Sequence, residues 1–107
     1  QRIADFQNTK FKLAEMRTQV DVAQVFVYRC VMDHNQKLLS PEIAAEAKLF
    51  TTELLGKVVD EGVQLHGGWG YMWEYPICKM YANARIQRIF AGTSEIMKEI
   101  ISRGMKL

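Results

Sequence analysis

No stretch of this sequence alternates polar and apolar residues at the two-residue period of a half-buried strand, and no internal repeat stands out. Proline occurs only twice. Neither proline nor glycine falls between Ile3 and Asp33, so nothing in that stretch interrupts a helix. Cysteine is as scarce: Cys30 and Cys78 form no Cys-x-x-Cys and lack a nearby histidine pair, so the spacing of a metal site is missing. Two reduced, mostly buried thiols are the expectation, and they suit a reducing intracellular compartment. Charge of one sign is missing too. With 14 basic and 12 acidic residues the net charge is +2, and no basic run or aromatic-interleaved basic stripe marks a nucleic-acid surface. No apolar run is long enough to span a bilayer, and no signal-peptide pattern is present.

What remains is helix. The 107 residues, 49% hydrophobic and 24% charged, suit one globular domain with one core. From Ile3 to about Asp33 a single long helix is expected. Leu13, Met16, Val20, Ala23, Val27 and Cys30 step by three and four along one face, and Phe6 extends that stripe a heptad earlier. Phe11, Val22, Val25 and Phe26 lie off the stripe, so the helix is expected to meet neighbours on two sides. At about 45 Å it is too long for one small partner helix, which points to burial against another subunit.

His34-Asn35-Gln36 reads as a turn. Ser40-Pro41-Glu42 then opens a second helix with a serine cap, a proline at the first helical position and an acid at the positive end of the dipole. Ile43, Ala47, Phe50, Leu54 and Val58 are its expected buried stripe, and Gly67 its stop after His66. A tight loop, Gly67 to Glu74, leads to Pro76 and a third helix ending near Ile89. Thr93 caps a fourth, with Ile96, Met97, Ile100 and Ile101 facing inward. The expected fold is all-α, an up-and-down four-helix bundle forming a single domain over 1–107.

Two polar stretches stand out against this helical background. Gln64-Leu65-His66-Gly67-Gly68-Trp69-Gly70-Tyr71 places three glycines in four positions, and Phe90-Ala91-Gly92-Thr93-Ser94-Glu95-Ile96 opens the last helix. Glycine lets a backbone approach a bulky polar ligand, and helix starts favour phosphate oxygens. The plain alternative for the first stretch is a helix stop and tight turn. It follows a helix, not a strand, so it is no Rossmann fingerprint. His66 has no Asp, Ser or Cys spaced for a triad, and Asp60 and Glu61 read as a solvated face. Trp69, Tyr71, Trp73 and Tyr75 read as a packed loop anchoring the second helix to the third.

In order and spacing these residues resemble the C-terminal helical domain of the acyl-CoA dehydrogenases, on the long-chain or isovaleryl-type branch. The likeness runs through Phe6-Gln7, Leu13-Ala14-Glu15-Met16, Gln64 to Tyr71, Glu74-Tyr75-Pro76, Arg85-Ile86 and Ile89 to Ile96. It implies an FAD enzyme that oxidises acyl-CoA thioesters to trans-2-enoyl-CoA, hands electrons to an electron-transfer flavoprotein and assembles as a tetramer or dimer of dimers. It also implies N-terminal helical and middle β-domains preceding Gln1. By the same resemblance, Gln7 contacts FAD, and Gln64, Leu65, His66, Gly67 and Gly68 lie against the dinucleotide of a neighbouring subunit. Thr93 and Glu95 hold the adenosine end, and Ala91 and Gly92 line the acyl-thioester pocket. The implied compartment is a bacterial cytoplasm or a mitochondrial matrix.

One departure limits the chemistry. Many members carry a glutamate base immediately before the Gly-Thr pair, where this chain has Ala91, which has no proton acceptor. The related branches take the base from an earlier helix, so no catalytic base is expected within 1–107. Two other readings stay open beside the dehydrogenase domain: a helical oligomerisation module, and a non-catalytic paralogue that binds flavin or CoA. The retained Gln64–Gly68 segment with Thr93 and Glu95 speaks against pure assembly, which needs no such polar pair.

Overall fold

A computed structural model describes residues 1–107 in full. Its helices are α1 (Gln7–Asn35), α2 (Pro41–His66), α3 (Pro76–Gln87) and α4 (Ser94–Gly104), with short 3₁₀ turns at Ile3–Asp5 and Gly67–Tyr71 and no strand. The fold class is all-α, as the patterning predicts.

The first helix starts later than its apolar stripe suggests. Asp5 accepts from the Arg2 backbone N–H and from the Arg2 guanidinium, both at 3.0 Å, so the chain closes a separate turn there. Phe6 is extended at φ −79°, ψ 139°, and does not extend the helical stripe. A short polar side chain competing for backbone groups is the reason. At the other end α1 stops without glycine. Lys37 takes φ 61°, and the Leu38 and Lys37 N–H groups donate to the carbonyls of Asp33 and His34 at 2.7 and 3.0 Å. This is a Schellman closure with a lysine in the left-handed position.

The second helix begins as expected, with Ser40 Oγ accepting from the Ile43 N–H at 3.2 Å and Pro41 at the first position. It is the hub: α1, α3 and α4 all pack on it. Its buried residues are Ala45, Leu54 and Val59. Ala45 and Leu54 stand nine positions apart, which at about 100° per residue puts them on opposite sides of the helix. A single buried stripe is therefore the wrong description of α2, and Phe50, expected inside, is 46% exposed. Gly62 lets α3 come close, since a Cβ there would sit 2.7 Å from Ile77 Cδ1.

The third helix ends at Gln87, two residues short of expectation, because the Ile89 and Phe90 N–H groups both turn onto the Ile86 carbonyl. The fourth opens as predicted, Thr93 Oγ1 accepting from the Ile96 N–H at 3.2 Å. Met97 is buried against α2, but Ile96 is 51% exposed and does not face inward. The aromatic loop is likewise not packed: Trp69 is 61% and Tyr71 85% exposed. Gly70, seated on Val63 and His66, anchors the loop instead, and Trp69 meets the Tyr75 ring at 5.7 Å between centroids.

The chain is elongated, 52 × 28 × 25 Å, with a radius of gyration of 16.5 Å against about 13 Å for a compact domain of this length. Only ten residues are buried, and no large side chain is sealed off completely. Along α1, Ala23 and Cys30 are buried, while Phe11, Val22, Val25, Tyr28 and Met32 are exposed. Of the second face foreseen for α1, Phe11, Val22 and Val25 are exposed and Phe26 is half-buried.

Candidate functional site

The residues singled out in the sequence fall into two groups at different heights on α2. Lys12 on α1 donates to Glu61 on α2 at 2.7 Å, which pins the start of α1 beside the end of α2. Glu61 is thus half of an ion pair and not a free member of a solvated face. Beyond that pair, Gln7 and the segment Gln64 to Gly68 lie at the same end of the antiparallel hairpin. The other group, Ala91, Gly92, Thr93 and Glu95, sits at the start of α4, tied to Lys48 and Glu53 of α2. Eleven residues of α2 separate Glu53 from Gln64, about 16 Å of helix.

At the first end, Gln64, His66, Gly67 and Gly68 are exposed and Leu65 is half-buried. The His66 ring places Nδ1 2.7 Å from the Gly62 carbonyl, so Nδ1 donates and Nε2 is left free. The glycines differ in kind. A Cβ at Gly70 would meet the Val63 carbonyl oxygen at 2.6 Å, so Gly70 serves the fold. A Cβ at Gly67 or Gly68 would meet nothing within 4 Å, although Gly67 holds φ +63°. Gly68 is therefore not required by anything inside the chain.

At the second end the backbone is unusual. Ala91 has φ +53° and Gly92 φ +107°, two left-handed residues in succession, and a Cβ on Gly92 would strike Met97 Cε at 2.6 Å. Lys48 Nζ donates to the Phe90 carbonyl at 2.8 Å and to the Gly92 carbonyl. The N–H groups of Ala91 and Thr93 donate to nothing in the chain. Each carbonyl held by Lys48 shares a planar trans peptide with one of them: Phe90 with Ala91, Gly92 with Thr93. Those two N–H groups therefore point away from the lysine.

Behind the turn lies a polar cluster. Ser94 Oγ donates to Glu53 Oε1 at 2.7 Å, and Arg88 Nη1 donates to Glu53 Oε2 at 3.3 Å. The Ser94 hydroxyl, more than any other influence, holds the Glu53 carboxyl below its ordinary range. Burial opposes it, and the Arg88 bond and charge and the Lys98 charge add to it. The Ser94 N–H also reaches the Arg88 carbonyl at 3.0 Å, locking the start of α4 onto the end of α3.

Lys48, Glu53, Arg88 and Ser94 escaped the sequence reading. Each is an ordinary charged or hydroxyl residue with no motif spacing. Only polar groups inside the otherwise apolar run from Ala44 to Leu55 hinted that α2 has something to hold. No cluster of three His, Cys, Asp or Glu side chains is placed to bind a metal, and no helix is long and apolar enough to cross a membrane.

This is an all-helical domain that offers backbone donors, open glycines and short polar side chains to whatever binds it. The profile described as "Acyl-CoA dehydrogenase, C-terminal domain" matches residues 1–106, and the chain belongs to that family. It is 50% identical over 101 residues to the mitochondrial long-chain specific acyl-CoA dehydrogenase of Mus musculus, covering 94% of this chain and 24% of that protein. The crystal structure of acyl-CoA dehydrogenase from Geobacillus kaustophilus superposes with a TM-score of 0.97 at 39% identity, over 100% of this chain and 28% of that one. The FAD complex of PigA superposes with a TM-score of 0.90 at 28% identity, over 98% of this chain and 27% of that one. The chain thus spans about a quarter of the length of the relatives it matches.

Proposed function

We propose that this chain is the C-terminal, FAD-contacting and oligomerisation domain of a flavoprotein acyl-CoA dehydrogenase, which converts acyl-CoA thioesters to trans-2-enoyl-CoA. The observation that carries the reading is the Phe90–Thr93 turn. Its Ala91 N–H, free within the chain, supports a contact with the acyl thioester beside Thr93 and Glu95.

The residues present fit FAD. Gly67 and Gly68 leave open space for close backbone approach by a pyrophosphate from outside the chain. Glu95 is exposed at the start of α4. Its carboxylate would repel a phosphate but accepts hydrogen bonds from ribose hydroxyls or an adenine amino group, which agrees with an adenosine contact. The separation of the two groups along α2 favours service to two different cofactors, with Gln64, Leu65, His66, Gly67 and Gly68, and Gln7 beside them, facing the dinucleotide of a neighbouring subunit. The apolar outer face of α1 supports assembly into a tetramer or dimer of dimers.

Removal of the α-proton leaves negative charge on the thioester oxygen, and a fixed backbone N–H stabilises that charge. The free Ala91 N–H supports this role, while the missing Cβ of Gly92 admits Met97 against the turn. Ala91 has no proton acceptor, so the carboxylate that takes the α-proton lies outside residues 1–107. FAD bound here would supply the acceptor for the β-hydride, and an electron-transfer flavoprotein would receive the electrons. The two free cysteines and the mitochondrial relative support a reducing compartment, a mitochondrial matrix or bacterial cytoplasm. The test is product analysis with the full-length protein. A long-chain acyl-CoA should return as a thioester lighter by two hydrogens, and unchanged substrate would sink the reading in favour of a base-less binding paralogue.

A further inference from the structure

We infer that Lys48 is a positioning residue for this site: its ammonium fixes and polarises the two peptides whose N–H groups, on Ala91 and Thr93, face the thioester and the cofactor. The inference rests on the dehydrogenase reading above. Lys48 takes part in no ion pair of the chain. It is half-buried, and its hydrogen bonds go to the carbonyls of Phe90 and Gly92, residues 42 and 44 positions away in sequence. A cation placed this way, with backbone carbonyls in place of a carboxylate, acts on the backbone it touches.

Two effects follow. Ala91 holds φ +53°, which an L-residue keeps only when its surroundings over-determine it. Charge-assisted bonds on either side of Ala91 supply that constraint, and they are roughly twice as strong as neutral ones. The second effect is electronic. A positive charge on the Phe90 carbonyl draws electron density along the peptide and makes the Ala91 N–H a stronger donor, by about 10–30% in condensed phase. The Gly92 carbonyl and the Thr93 N–H are coupled in the same way. Lys48 touches neither substrate nor flavin in this scheme, and it works through the turn.

The test uses Lys48→Met, which keeps the stem and removes the charge, and Lys48→Arg, both in the full-length flavin-loaded protein. The probe is a long-chain trans-2-enoyl-CoA carrying ¹³C at its carbonyl, read by isotope-edited infrared spectroscopy. In the parent protein the bound carbonyl band should lie below that of the free thioester. Lys48→Met should return it toward the free position and lower kcat roughly tenfold with little change in KM. That is short of the about 10²–10³ for deleting an oxyanion donor, since the donor is weakened and not removed. Lys48→Arg should restore part of both. A Lys48→Met protein that loses thermal stability or flavin but keeps the carbonyl band in place would overturn the inference, leaving a merely structural clip. So would an unchanged band and unchanged kcat. If Lys48→Met does not fold, Lys48→Gln and Lys48→Arg decide on the same band. A parent protein that neither shifts the carbonyl nor makes enoyl-CoA would overturn the dehydrogenase reading and this inference together, whereas an insensitive band in an active enzyme overturns the Lys48 role alone.

Discussion

Replacing the glycines of Gly67-Gly68-Trp69-Gly70 one at a time should separate what the fold needs from what a ligand needs. A Cβ on Gly70 would stand 2.6 Å from the Val63 carbonyl oxygen, 2.8 Å from His66 Cβ and 3.2 Å from Val63 Cα. Two of those atoms are backbone, and His66 is itself held by the Gly62 carbonyl, so the last turn of α2 has to shift. Overpacking of this kind costs about 1–3 kcal/mol. In a domain of this size each kcal/mol moves Tm by roughly 4–8 °C. Gly67→Ala meets no atom but puts a side chain at φ +63°, ψ −148°, a region essentially closed to residues with a Cβ, costing about 1–3 kcal/mol. Gly68→Ala meets nothing and lies outside the left-handed region, so it should be neutral or slightly stabilising. Thermal unfolding followed by helical circular dichroism should therefore show losses at Gly70 and Gly67 and none at Gly68. Flavin content of the full-length protein should show a different pattern, with Gly68→Val folding normally yet retaining less FAD. A silent Gly70→Ala would refute the packing argument, and a Gly68→Val protein with full flavin content would refute the assignment of the loop to the cofactor.

Other perturbations test the framework around the site. The Glu53 pKa is depressed below its ordinary value of 4.5 in the folded chain. Its contribution is therefore complete above that pH and lost as pH falls through the lowered folded value. Glu53→Gln should flatten the acid limb of stability against pH below about 4.5, and an identical limb in both proteins would refute the Ser94–Glu53–Arg88 arrangement. Leu54→Ala, at a buried position on the hub helix, should cost about 2–5 kcal/mol in denaturant unfolding, and a near-zero change would mean that α2 is not the centre of the packing. Lys37→Gly should stabilise by about 0.5–1 kcal/mol, the relief of left-handed strain less the added freedom of the unfolded chain. A loss at that position would show that Lys37 does more than close α1.

Helix count, both helix caps and the stop at Gly67 were readable in the sequence because each is encoded within a few adjacent residues. Ser40-Pro41-Glu42 and Thr93 act through local hydrogen bonds, and the structure reproduces both. Packing was less legible. A helix touched from three sides has no single stripe, so the spacing of Ile43, Ala47, Phe50, Leu54 and Val58 suggested one face where α2 uses several. The closure at Lys37 was invisible because the usual glycine is missing. Around the site, Gly92 and Thr93 announced a turn and a cap. The hold of Lys48 on Phe90 and Gly92 depends on residues more than forty positions apart, and nothing in the local sequence carries that information. The open space at Gly68 is the converse case: a glycine that nothing within the chain requires.

The central claim is that this domain belongs to a working flavin enzyme whose proton acceptor is supplied from beyond Ala91. The most direct measurement is the visible flavin spectrum of the full-length protein, under anaerobic conditions, before and after a long-chain acyl-CoA is added. Bleaching of the oxidised flavin band on mixing is the predicted result. A flavin band that persists with every acyl-CoA offered would contradict the account and leave a binding paralogue, and a protein with no flavin at all would leave only a helical assembly module.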